Sequence, residues 1–93
     1  MENKITLNSV WNSEYKIAIH CKNEEEAKKL LNAFDKFGKN WIDGASYLEI
    51  NCWNKNKENT CYSNINEYAG FNYYKKENYK IYEFEDVDLG EEQ

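Results

Sequence analysis

The stretch YKIAIHCKNEEEAKKLLNAFDKF, residues 15 to 37, joins a strand pattern to a helix pattern and decides the fold class. Residues 15 to 21 alternate between the two faces of an extended chain, which predicts a first strand. One face carries Tyr15, Ile17, Ile19 and Cys21.

The helix pattern follows without a break. Asn23, with Glu26 three residues later, forms the N-cap and capping-box signature that begins many helices. Gly38 stands where a left-handed residue is expected to end the helix. These signals predict a helix over Glu24 to Phe37. Its apolar stripe follows the spacing i, i+3, i+4, i+7 at Ala27, Leu30, Leu31 and Phe34.

Farther along, residues 47 to 53 alternate again and predict a second strand, and residues 60 to 65 predict a third that forms an antiparallel hairpin with it. In that hairpin Cys52 faces Cys61, and Asn51 faces Tyr62. Residues 69 and 70 break the pattern, residues 71 to 78 fit a short helix, and residues 79 to 84 predict a last strand.

The predicted class is therefore α+β, with the order β-α-β-β-(short α)-β and a four-stranded, mostly antiparallel sheet that packs one main helix on one face. Residues 15–89 are expected to form this single domain. Residues 1–14 fit either an N-terminal extension or an edge strand, and residues 90–93 an acidic tail.

Composition limits the classes of partner. All twelve basic residues are Lys, and the net charge is −5. Without Arg for bidentate contacts, and with a charge that opposes counterion release, direct binding in a nucleic-acid groove is not expected. No run reaches the roughly 18 apolar residues of a membrane span, and no signal peptide is apparent. We expect no membrane association and a cytoplasmic location in a bacterial host.

The C-terminal region carries a run of acids without a base. Such a run is a solvated end or a patch that meets a basic partner. The candidate partner-binding residues in this run are Glu83, Glu85, Asp86 and Asp88.

Fifteen aromatic residues exceed what so small a core needs, so we expect some of them on the second face of the sheet and on its loops. With nearby amides and lysines, they would suit a nucleotide pocket, a protein interface or a homodimer or higher homo-oligomer contact. These candidates are Trp41, Trp53, Tyr62, Tyr68, Tyr73, Tyr74, Asn51, Lys75 and Lys76.

The sequence gives little indication of a catalytic or metal-binding site. A nucleophile needs an adjacent base, and His20 is the one His. The three Cys residues lack a Cys-x-x-Cys spacing, and core packing explains them better than metal binding does. A further alternative is that Cys52 and Cys61 form a redox-linked pair. We expect no enzyme activity, no catalytic residues, no metal and no cofactor.

Residues 15 to 87 also resemble small proteins of phages and prophages of Gram-positive bacteria. The matching pieces are YKIAIHC with NEEEAKKLL, then WIDG, WN, ENTCY and YYKKENYKIYEFEDV. Asn78 stands where the pattern has Gly, and Asn tolerates the left-handed conformation such a turn needs.

This resemblance implies an accessory role rather than a named activity. It implies an anti-CRISPR-like antagonist that binds a host defence protein through the C-terminal run of acids and exposed aromatic residues. One alternative is a sponge that sequesters a nucleotide immune signal. A third reading is a structural protein that assembles with a phage partner.

Overall fold

The computed structural model of the chain describes residues 4–41, 44, 46–47, 53–64 and 67–89, with the main chain alone at residue 54. It confirms the α+β class. The main sheet has four strands in the order β4-β3-β2-β5, and a two-stranded parallel sheet joins β1 to β6. Two of the three pairings in the main sheet are antiparallel, and β2 pairs with β5 in parallel. The strands are β1 (Ile5–Thr6), β2 (Ile17–His20), β3 (Thr60–Ser63), β4 (Tyr68–Gly70), β5 (Lys80–Glu83) and β6 (Val87–Asp88).

The helix α2 (Glu24–Lys36) forms where it was predicted. The Asn23 side chain accepts a hydrogen bond from the Glu26 N–H at 2.8 Å, and the Glu26 carboxylate accepts one from the Lys22 N–H at 2.9 Å. At the other end Gly38 has φ +92, and its N–H and that of Lys39 close a Schellman motif. The local capping signals therefore fixed both ends of this helix.

The buried stripe of α2 packs against one face of the sheet and forms the main core. Leu30 and Phe34 are fully buried there, together with Ile17 and Ile19 of β2. Each such side chain contributes about 1.5–3 kcal/mol by leaving water. The predicted alternation of β2 is confirmed, because Ala18 lies in a second cluster on the opposite face.

The second face is covered by the short helix α4 (Phe71–Lys76), which connects β4 to β5. Its Tyr74 is 1 % exposed and packs with Ala18 and Cys61. Ala69, Phe71, Tyr79 and Ile81 pack around that cluster. The sheet thus lies between two helical layers. The expectation that its second face presents aromatic residues to ligands is wrong for Tyr74, which α4 buries against that face.

The predicted hairpin is also wrong. Residues 53 to 56 form the helical turn α3 (Trp53–Asn56), followed by a 3-10 turn at Lys57–Asn59. Both edges of β3 are occupied, because Cys61 pairs with His20 on one side and Ala69 on the other. Cys61 therefore cannot also pair with Cys52 in the predicted hairpin. Residues 48 to 52, which include Asn51 and Cys52, lie outside the described residues.

The region after β3 departs from the prediction in a different way. Residues 68 to 70, where the pattern breaks, form β4, and the short helix then begins at Phe71 as expected. Asn78 has φ +65, so it takes the left-handed conformation at the turn into β5.

The N-terminal segment contributes to the core. After β1 it forms the short helix α1 (Leu7–Trp11), which the Thr6 side chain caps by accepting from the Ser9 N–H at 3.1 Å. Leu7 and Val10 are buried, and the Trp11 ring meets the Phe34 ring edge-on at 5.0 Å. None of the described helices has the length and apolar content that crossing a bilayer requires.

Candidate functional site

The carboxyl ends of β2 and β5 meet at one end of the sheet, because these strands run in parallel. His20 and Glu83 are the last residues of the two strands and lie opposite each other in the ladder. The Nδ1 atom of His20 lies 2.9 Å from a carboxylate oxygen of Glu83. The other ring nitrogen, Nε2, lies 2.7 Å from the main-chain carbonyl of Glu58.

Both partners of the His20 ring are hydrogen-bond acceptors. A neutral imidazole has one N–H and satisfies one of them, whereas the imidazolium donates to both. The His20–Glu83 pair resembles the carboxylate-oriented His of many hydrolases, but its second nitrogen is bonded to a carbonyl rather than to a nucleophile. This geometry holds the 3-10 turn at residues 57 to 59 against the strand ends.

The thiols near this pair are buried and weakly acidic. Burial, followed by the charge of Glu83, raises the pKa of Cys61 to about 12. Burial also raises the pKa of Cys21, with smaller contributions from the charges of Glu26, Cys61 and Glu83. At neutral pH both groups are thiols, which are poor nucleophiles and poor metal ligands. Among the described residues, no group of three or more His, Cys, Asp or Glu side chains could hold a metal ion.

Three separate segments that carry acidic residues lie at the end of the sheet where the carboxyl ends of β2 and β5 meet. We name this region the acidic end. Glu85 lies 3.4 Å from the Lys22 ammonium, and Glu26 bonds the Lys22 main chain. Residues 22–26 hold three acids and one base, residues 57–59 one of each, and residues 83–86 three acids and no base. The members of the acidic end are Glu24, Glu25, Glu26, Glu58, Glu83, Glu85 and Asp86.

The predicted acidic patch is thus partly brought together. Glu85 and Asp86 are exposed on a 3-10 turn (Phe84–Asp86), whereas Glu83 is half-buried against His20. Asp88 follows on β6, where its main chain pairs with Thr6. Sequence reasoning missed the contribution of Glu58 and of the first turn of α2. Glu58 reaches this end through the antiparallel pairing of β3 with β2, and the first turn of α2 follows the end of β2 directly. The choice of strand partners has no local signature.

The predicted aromatic set is divided between cores and surface. Trp41, Trp53 and Tyr62 are 7 %, 9 % and 1 % exposed and belong to the main core, and Tyr68 packs against that core while half-buried. Tyr74 is buried on the opposite face. Only Tyr73, Lys75 and Lys76 of the described candidates are exposed, all on α4.

Burial gives these rings a structural role. The Trp41 ring meets the rings of Tyr47 at 4.5 Å, Tyr68 at 5.6 Å and Tyr62 at 6.0 Å, the spacing of stacked and edge-on aromatic pairs in cores. The aromatic excess noted in the sequence is therefore used largely for packing.

Comparison with known proteins adds no further assignment, because no family model, curated protein or solved structure matches this chain.

Proposed function

We propose that this protein is a non-enzymatic phage or prophage accessory protein that binds a basic surface of a host defence protein through its acidic end. The observation that carries the proposal is that three separate segments with acidic residues meet at the carboxyl ends of β2 and β5, through the carboxylates of Glu26, Glu83 and Glu85 and the main chain of Glu58. Complementary charge steers association and selects partners. A surface rich in Lys or Arg, such as one that holds nucleic acid, fits this end.

Two further observations favour protein binding over the other classes. The His20 ring and the Cys21 and Cys61 thiols are engaged or buried, so none of them is placed as a reactive group. Four of the rings that a nucleotide pocket was expected to use are in the cores. The phage or prophage origin of this chain is proposed from the resemblance of residues 15 to 87.

The test compares two double variants with the same change in net charge. Glu85→Lys with Asp86→Lys reverses the acidic end, and Glu67→Lys with Glu77→Lys reverses exposed acids elsewhere. Glu83 is left intact because its carboxylate bonds His20. Each protein is tagged, expressed in a defence-competent bacterial host and purified gently, and its co-purifying proteins are quantified by mass spectrometry.

We expect a basic host protein to co-purify with the wild type and the Glu67/Glu77 variant, and to fall by about 10-fold or more with the Glu85/Asp86 variant, the loss that about 1.4 kcal/mol of contact energy produces. Equal loss in both variants, or no loss in either, would contradict the proposal. A phage protein captured through the same residues would instead support the assembly role.

A further inference from the structure

Two open hollows, of about 420 and 480 Å³, lie side by side at the end of the sheet opposite the acidic end. Tyr15 and Lys80 line both of them, so these two residues form the boundary between the hollows. Tyr15 is 74 % exposed, although a large ring usually loses much of its surface in a domain. These volumes fall in the range of small-molecule sites.

The first hollow combines apolar and amide surfaces. Ile17 and Tyr82 line it together with Asn8 and Ser9 of α1 and Asn12, which follows α1. The Asn12 amide donates to the carbonyl and side-chain oxygens of Asn8, both at 2.9 Å, which leaves the Asn12 side-chain oxygen as an acceptor. A flat ring with polar edges suits such a surface.

The second hollow is lined by two lysines. Lys16 and Lys80 are joined by a main-chain hydrogen bond of 3.0 Å, and their ammonium groups lie over the rings of Tyr79 and Tyr82 at 5.7 and 6.0 Å. Within the described part of the chain, neither ammonium forms an ion pair with a carboxylate. Tyr79 and Tyr82 pack on opposite faces of the sheet, so the two ammonium groups lie apart, and Lys80, which lines both hollows, is the one available to an anion. Glu14 also lines the second hollow.

We propose that the paired hollows bind a small ligand that carries both a planar ring and a phosphate, the chemistry of a nucleotide. The ring stacks on Tyr15 in the first hollow, and the phosphate lies beside Lys80 where the second hollow begins. Ammonium groups act as point charges for phosphate, and exposed aromatic rings stack on bases of any sequence. This site lies apart from the acidic end and does not rest on the proposed protein binding.

The first experiment titrates the intact protein with AMP, adenosine and inorganic phosphate by isothermal calorimetry. Stacking of one base changes affinity by about 5- to 150-fold, so AMP should bind at least about 5-fold more tightly than phosphate. AMP should also bind more tightly than adenosine, which lacks the charge that attracts Lys80. AMP binding no tighter than that of adenosine or phosphate, or no saturation below about 10 mM, the range of very weak sites, overturns the proposal.

Variants then separate the two halves of the site. Tyr15→Ala should weaken AMP by about 5-fold or more and leave phosphate unchanged, whereas Lys80→Met should weaken both. Glu14→Gln should tighten both, because it removes a like charge from the phosphate hollow. Lys75→Met, at an exposed lysine of α4 that lines neither hollow, is the matched control.

A loss with Lys75→Met equal to that with Lys80→Met, or weaker AMP binding in Glu14→Gln, overturns the assignment. The Glu85→Lys, Asp86→Lys variant should keep full AMP binding, which makes failure of this site distinguishable from failure of the acidic end.

Discussion

The substitution Leu7→Ala tests whether the N-terminal segment is part of the core or an appendage to it. Leu7 is 5 % exposed and lies in the main core with Val10, which is 1 % exposed. Replacing a buried Leu by Ala costs roughly 2–5 kcal/mol, from lost transfer energy and the cavity left behind. Since about 1 kcal/mol shifts Tm by roughly 4–8 °C in a domain of this size, we expect Tm to fall by at least roughly 8 °C.

The free energy of unfolding is measured in urea, with circular dichroism and Trp fluorescence followed in parallel. Asn8→Ala, at an exposed position in the same helix, is the control and should change stability by no more than about 0.5 kcal/mol. If Leu7→Ala loses no more stability than Asn8→Ala, residues 4 to 13 do not belong to the core. The Leu7–Val10 packing would then be refuted.

Two further predictions concern single groups. Asn23→Ala should lower the free energy of unfolding by about 1 kcal/mol because it removes the α2 cap, whereas Asn32→Ala, exposed within the same helix, should cost nothing. Cys61 has its pKa raised from 9.0 to about 12, so its contribution to stability is present below about pH 9 and is lost as pH rises towards 12. The free energy of unfolding of the wild type minus that of Cys61→Ala, both measured in urea, should therefore be smaller at pH 11 than at pH 8. An equal difference at the two pH values would contradict the assignment of Cys61 as a buried thiol.

Local signals in the sequence predicted local structure well. The Asn23 cap, the stripe from Ala27 to Phe34 and the Gly38 stop are all short-range features, and α2 begins and ends where they place it. The alternation around Ile17 and Ile19 likewise identified the face of β2 that meets α2. Such features depend on residues within one or two turns of each other, which a single sequence contains in full.

Strand neighbours could not be predicted in the same way. Alternation shows that a segment is extended but does not choose its partners, and the hairpin between residues 47–53 and 60–65 was inferred from proximity in sequence. In the fold, β3 pairs with β2, which precedes it by some forty residues, and with the three-residue β4. A strand of three residues that ends at Gly70 has too short a pattern to detect.

The aromatic candidates failed for a related reason. Composition indicates how many rings there are, and burial depends on which faces are covered. The six-residue helix α4 covers the second face, and Tyr74 is buried there, while its neighbour Tyr73 is 53 % exposed. Sequence reasoning treated both as surface candidates, because periodicity in so short a helix cannot separate them.

The acidic end contains carboxylates with different physical roles, and this difference identifies the ones that are free for a partner. Acids in the first turn of α2 stabilise the positive end of the helix dipole, and Glu26 also bonds the Lys22 main chain. Glu83 holds His20. Glu85 makes one long ion pair with Lys22, both groups being more than half exposed, and such a pair contributes about 0–1 kcal/mol. The charges of Glu85 and Asp86 therefore contribute little to the stability of the folded state. Reversing them should leave stability nearly unchanged, so a loss of partner binding in that variant would report on the interface itself.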